Sequence, residues 1–84
     1  MSVFQWEFVF NHYALFNVPC VDASVMLQRP LRSGRRVDEW LLRMTIFIGQ
    51  TGDFERFGNI YNTQEKAMRA AEEIIIRYKL EGKI

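Results

Sequence analysis

The sequence predicts an α+β domain, an antiparallel sheet of three to four strands packed on one C-terminal helix. Three observations carry that expectation. Thr51-Gly52 fits a tight hairpin between the long strand that precedes it, with Trp40, Leu42, Met44, Ile46 and Ile48 on one side, and Phe54–Tyr61, which pairs back. Farther on, Ala67, Ala70, Ala71, Ile74, Ile75 and Tyr78 recur at helical spacing. Upstream, Val3–Phe10 and Val21–Arg29 alternate with a period of two.

In Val3–Phe10 the aromatic residues Phe4, Trp6, Phe8 and Phe10 share one face, which is expected to be core. Residues 11–20 (NHYALFNVPC) read as a loop or a short strand, because Pro19 and two asparagines interrupt the pattern. Along Val21–Arg29, one face carries Val21, Ala23, Val25 and Leu27, and Pro30 ends the strand because it has no N–H for a ladder. Gly34 turns the chain within RSGR. Val37–Gln50 returns as a long strand with Trp40, Leu42, Met44, Ile46 and Ile48 on one side, and Phe54–Tyr61 pairs back to it. Asn62 with Glu65 forms a variant capping box, and Gly82 ends the helix. The three alanines of the helix stripe allow close approach to a sheet. Opposite them, Ile76 and Leu80 form an apolar pair rimmed by charge.

Eighty-four residues suit one domain, residues 1–84. With 49% hydrophobic and 14% aromatic residues the chain has the material for a core, unlike a disordered sequence. Cys20 is the only cysteine, which excludes an internal disulfide and suits a reducing cytosol. The N-terminus lacks the pattern of a signal peptide, and no apolar run approaches the ~20 residues of a membrane span. A cytoplasmic protein with no membrane partner is expected.

Catalysis needs a nucleophile, an acid–base pair or a metal. His12 is the only histidine; with Cys20 as nucleophile it would make a thiol–imidazole pair. The blander reading is a surface histidine and a cysteine packed as a small apolar group. Asp53 and Glu55 flank a hairpin and read as solubility features. Phosphate loops and zinc spacings are absent. The chain is therefore read as no enzyme, with no cofactor and no metal.

The stronger lead is QRPLRSGRR. Arg29, Arg32, Arg35 and Arg36 fall at a hairpin tip with no acid between them. Guanidinium forks match phosphate and carboxylate geometry, so the expectation is four groups held out toward an anionic partner. The alternative is a solvated loop. Ile76 and Leu80 either seed a contact, including a homodimer through the outer helix face, or are ordinary exposed residues.

Residues 40–78 resemble two DNA-binding designs built as a three-stranded sheet backed by one helix: the plant ethylene-response-factor domain and the arm-site-binding domain of tyrosine recombinases. Phe57, Gly58, Tyr61, Thr63, Glu65, Ala67, Ala70 and Ala71 carry the likeness. In those families such positions dock the helix on the sheet, while Arg and Trp residues on the strands read DNA. Here the resemblance implies that role for Arg43 and Arg56, beside Phe47 and Glu55, which do not suit it. The Ala-rich helix is also similar to the last helix of double-stranded-RNA-binding domains, whose first helix and basic helix start this chain lacks. In overall style the chain resembles small accessory proteins of phages and mobile elements, which often block a host enzyme or defence complex.

Two functions follow as expectations. The first is a protein-binding inhibitor or adaptor of phage accessory or anti-defence type, gripping an acidic surface through the Arg hairpin. The second is a nucleic-acid-binding domain contacting DNA or RNA phosphates through the sheet and that hairpin. A net charge of +1 ranks the second below the first.

Overall fold

The computed structural model describes residues 3–49 and 51–84. Among these, one helix lies across a five-stranded sheet in which every neighbouring pair is antiparallel. The strands, in spatial order, are β1 (Trp6–Val9), β2 (His12–Leu15), β3 (Val21–Gln28), β6 (Glu39–Ile48) and β7 (Asp53–Tyr61). Between β3 and β6 the chain makes a two-stranded arm of β4 (Leu31–Arg32) and β5 (Arg35–Arg36). The helix α1 spans Gln64–Leu80. The α+β class and the C-terminal helix match expectation. The sheet has more strands than expected, because part of the ambiguous segment 11–20 forms β2, wedged between β1 and β3. Gln50, the expected end of the long strand, lies outside the described residues.

Register explains the core. Val25 faces Leu42, Ala23 faces Met44 and Val21 faces Ile46. These pairs lie on the face beneath the helix, where Ala67, Ala71, Ile75 and Tyr78 are buried against them. Ala67 and Ala71 let the helix backbone approach the strands closely. Leu42, Ile46, Ile75 and Val25 are the largest fully buried side chains. Burial of each contributes about 1.5–3 kcal/mol.

The helix ends differ from one another in how well the sequence foretold them. Its N-cap is Thr63, not Asn62. Thr63 Oγ1 accepts from the Lys66 N–H at 3.2 Å, so the cap frame sits one residue later and Glu65 falls in the first turn instead. At the other end Gly82 takes φ 73°, with Gly82 N–H donating to the Lys79 carbonyl and Lys83 N–H to that of Tyr78. This is the Schellman arrangement expected of a terminal glycine.

The aromatic face of the first strand is only half core. Phe4 and Trp6 pack against the buried cluster, and Trp6 Nε1 donates to Glu72 Oε2 at 2.9 Å. Phe8 is exposed, and Phe10 is 93% exposed. The physical reason is coverage: α1 crosses β3, β6 and β7, so the far end of β1 has nothing above it. Phe10 leaves the strand altogether and enters the β1–β2 turn.

Candidate functional site

The arm is built by a turn that suits its residues. Leu31 pairs with Arg36 and Arg32 with Arg35, leaving Ser33-Gly34 as a two-residue loop. Both loop residues have positive φ, 52° and 76°, the pattern of a type I′ turn. Arg29, Arg32, Arg35 and Arg36 are all exposed on this arm, as the sequence places them.

The arm is not, however, a cluster of four free cations. Arg29 Nε meets Asp38 Oδ1 at 3.1 Å. Arg32 bridges Glu39 with two bonds, from Nε at 3.2 Å and Nη2 at 3.1 Å. Its hydrogen bond to Glu39, with the attendant charge attraction, raises the Arg32 pKa further above its ordinary value. Arg36 Nη1 donates to the Arg29 carbonyl at 2.9 Å, which spends one N–H but no charge. Arg35 and Arg36 pair with no carboxylate among the described residues. Two of the four guanidinium groups thus have carboxylate partners within the chain, and all four remain exposed. Asp38 and Glu39 lie past the turn in sequence, and the antiparallel return brings them beside Arg29 and Arg32.

Beside the base of the arm lies a second turn. Val9 pairs with His12, His12 with Met26, and Gln28 with Glu39, so the Phe10-Asn11 loop and the arm project from the same end of the sheet. Phe10 has φ 59°, while Asn11 is not among the positive-φ residues. That is the type II′ pattern, whose first position prefers glycine. A bulky side chain there is an outlier. Behind the turn, Phe8 stacks edge-on against Tyr13 at 5.0 Å, and Tyr13 lies 6.5 Å from Trp40. Sequence alternation assigned Phe10 to the core; nothing in the local pattern separates an aromatic at a strand's end from one in its following turn.

The face of the sheet away from α1 carries Arg43 and Arg56. Arg43 lies opposite Gly58 and Thr45 opposite Arg56, which makes the two arginines diagonal neighbours. They line an open depression with Thr45 and Gly58. Arg56 sits over the Phe54 ring, 5.0 Å from its centroid, and Phe47 lies across from Phe54 at 6.3 Å. Glu55 points to the other face, where its Oε2 accepts from the Tyr78 hydroxyl. Burial, then that hydrogen bond, pushes the Tyr78 phenol up to about 12.

His12 and Cys20 are not brought together. His12 is opposite Met26 near one end of β3, and Cys20 precedes Val21 at the other, roughly 20 Å away at strand rise. Among the described residues, no group of three or more His, Cys, Asp or Glu side chains is placed to hold a metal ion. No described helix is long and apolar enough to cross a membrane. Ile76 and Leu80 are exposed, at 47% and 83%. They follow Glu72 at four-residue steps, which carry them from the flank beside β1 onto the outer face of α1, with Leu80 opposite the buried stripe of Ala67, Ala71, Ile75 and Tyr78 as the sequence spacing expects.

No family model, curated protein or solved structure matches the chain.

Proposed function

We propose that this chain is a non-enzymatic binding module, an inhibitor or adaptor, that docks on an acidic protein surface through the arm and the adjoining β1–β2 turn. One observation carries the reading. Phe10 is 93% exposed on backbone of φ 59°, beside an arm with two guanidinium groups that pair with no carboxylate among the described residues. A side chain kept against its backbone preference, with no packing in return, marks a position selected for something other than stability. Aromatic and arginine side chains also dominate the energetics of protein interfaces. Arg35 and Arg36 set the sign of the partner's surface, and Phe10 supplies its apolar anchor. Arg29 and Arg32, held by their own carboxylates, stiffen the arm that presents the other two.

The test is capture of a partner by the full chain from nuclease-treated lysate of its source cells, followed by affinity measurements on variants. Arg35→Glu with Arg36→Glu is expected to abolish the complex. Phe10→Gly is expected to weaken it by about thirtyfold. Neither variant should lower the melting temperature. Undiminished affinity in both would remove the reading.

A second reading has its own observation: Arg43 and Arg56 share the uncovered face with Phe47 and Phe54. A cationic sheet with exposed rings suits single-stranded nucleic acid, by phosphate contact and base stacking. Oligonucleotide affinity would then fall steeply with salt and be lost in Arg43→Ala with Arg56→Ala. A flat salt response would dismiss it.

A further inference from the structure

The two edges of the sheet are unlike. β1 is four residues long and ends in a strained turn. β7 is nine residues long, and its charged residues are Asp53 at its start, Glu55, which bonds Tyr78 on the helix face, and Arg56. It pairs with β6 without a bulge and contains neither proline nor lysine. Proteins usually blunt a long edge by one of those means, because its unpaired N–H and C=O groups template another strand.

Which groups β7 offers follows from the ladder. Phe47 N–H donates to the Cys20 carbonyl, so Phe47, Thr45, Arg43 and Leu41 of β6 bond toward β3. Their alternates bond toward β7, where they meet Glu55, Phe57 and Asn59. Phe54, Arg56, Gly58 and Ile60 are therefore left directing N–H and C=O outward. The Ile60 N–H agrees: its acceptor is Asn59 Oδ1 at 2.8 Å, a side chain standing in for a missing strand. Phe54 and Ile60 are large, apolar and about half exposed.

We propose that β7 pairs with β7 of a second copy of this chain, antiparallel, about a two-fold axis at Phe57. Outward groups can meet only in registers that oppose members of the set 54, 56, 58 and 60. Centred on Phe57, Phe54 faces Ile60 of the second copy and Arg56 faces Gly58 of the second copy. Apolar meets apolar, and each guanidinium meets a position with no side chain. Centred on Arg56, the two guanidinium groups would oppose one another directly, which is destabilising. Centred on Gly58, Arg56 would face Ile60, and the bare glycines would face each other. Of these three registers, which oppose the most outward groups, the first alone matches charge and size at once. The tilt of Arg56 over its own Phe54 also draws the cation away from the axis. The contact is isologous, closes on itself and yields a dimer rather than a fibre.

Gly58 makes the register testable. Its φ is not positive, and a Cβ there would meet only the Leu42 carbonyl oxygen, at 3.8 Å, so side chains are tolerated. In the proposed dimer, Gly58→Glu places a carboxylate opposite Arg56 of the second copy, and Gly58→Arg a like charge. Each contact occurs twice. The nearby Arg43 of the same chain acts on both variants in monomer and dimer alike, so it largely cancels from the association constant.

The measurement is sedimentation equilibrium of the full chain and both variants, from about 1 μM to about 1 mM, with melting curves to confirm folding. Wild type is expected to dimerise, Gly58→Glu to dimerise more tightly, and Gly58→Arg more weakly by roughly tenfold. In the wild type, amide exchange at Phe54, Arg56 and Gly58 should slow as concentration rises. A monomer throughout the range overturns the proposal, as does a shift of both variants in the same direction. A dimer indifferent to Gly58 and dissolved by Ile76→Glu would overturn it too, and would move the contact to the helix.

Discussion

Two turns at one end of the molecule make the same tight reversal with different fidelity to backbone chemistry. In the arm, Ser33-Gly34 places glycine where φ is 76°. In the β1–β2 turn, Phe10 occupies a glycine-preferring position at φ 59° and leaves its ring in solvent. The arm turn is explained by the fold it closes. The other is not, and under the proposed binding role the contrast separates residues kept for folding from a residue kept for contact.

If that division is right, the largest loss of stability must come from neither turn. Ile75→Ala, in the fully buried cluster beneath α1, should cost about 2–5 kcal/mol in urea unfolding and leave partner affinity intact wherever the protein remains folded. Gly34→Ala should cost about 1–2 kcal/mol, because the new Cβ is strained at that φ although nothing lies within 4 Å of it. Phe10→Gly should do the opposite and stabilise the fold by about 1 kcal/mol, since it relieves strain and forfeits little burial. A destabilised Phe10→Gly would collapse the comparison.

The smallest effect at neutral pH separates the turns from the body of the protein. The Tyr78 phenol is held at about 12 in the fold against an ordinary 10.0, so the folded state retains its proton more tightly. The stability this contributes is complete below pH 10 and is lost as pH climbs through 12. Melting temperature should fall over that window in the wild type and fall less in Tyr78→Phe, and Phe10→Gly should track the wild type.

The elements legible in the sequence are β1, β3, β6 and α1, whose periods stand out, and β7, which the Thr51-Gly52 turn sends back along β6. β2 was ambiguous because four residues hold too few alternations to stand out beside Pro19. The N-cap was displaced by one because Asn62 and Thr63 are both good caps, and only the path of the chain off β7 chooses between them. The charges of the arm were legible, but their pairing was not. Asp38 and Glu39 look distant from Arg29 and Arg32 along the chain, yet the return strand places them alongside. Alternation places Phe10 in the core because a period of two does not reveal where a covering helix stops.

The indole–carboxylate bond from Trp6 to Glu72 joins residues 66 apart in sequence, whereas each ladder of the sheet joins strands consecutive along the chain or separated only by the arm. Because α1 crosses β3, β6 and β7 but not β1 or β2, the N-terminal ribbon can detach while most of the buried cluster stays closed. It is the natural first unit of subglobal opening. With Trp40 replaced by Phe, Trp6 would be an intrinsic optical probe of that event, and its emission is expected to change before the remainder of the protein melts.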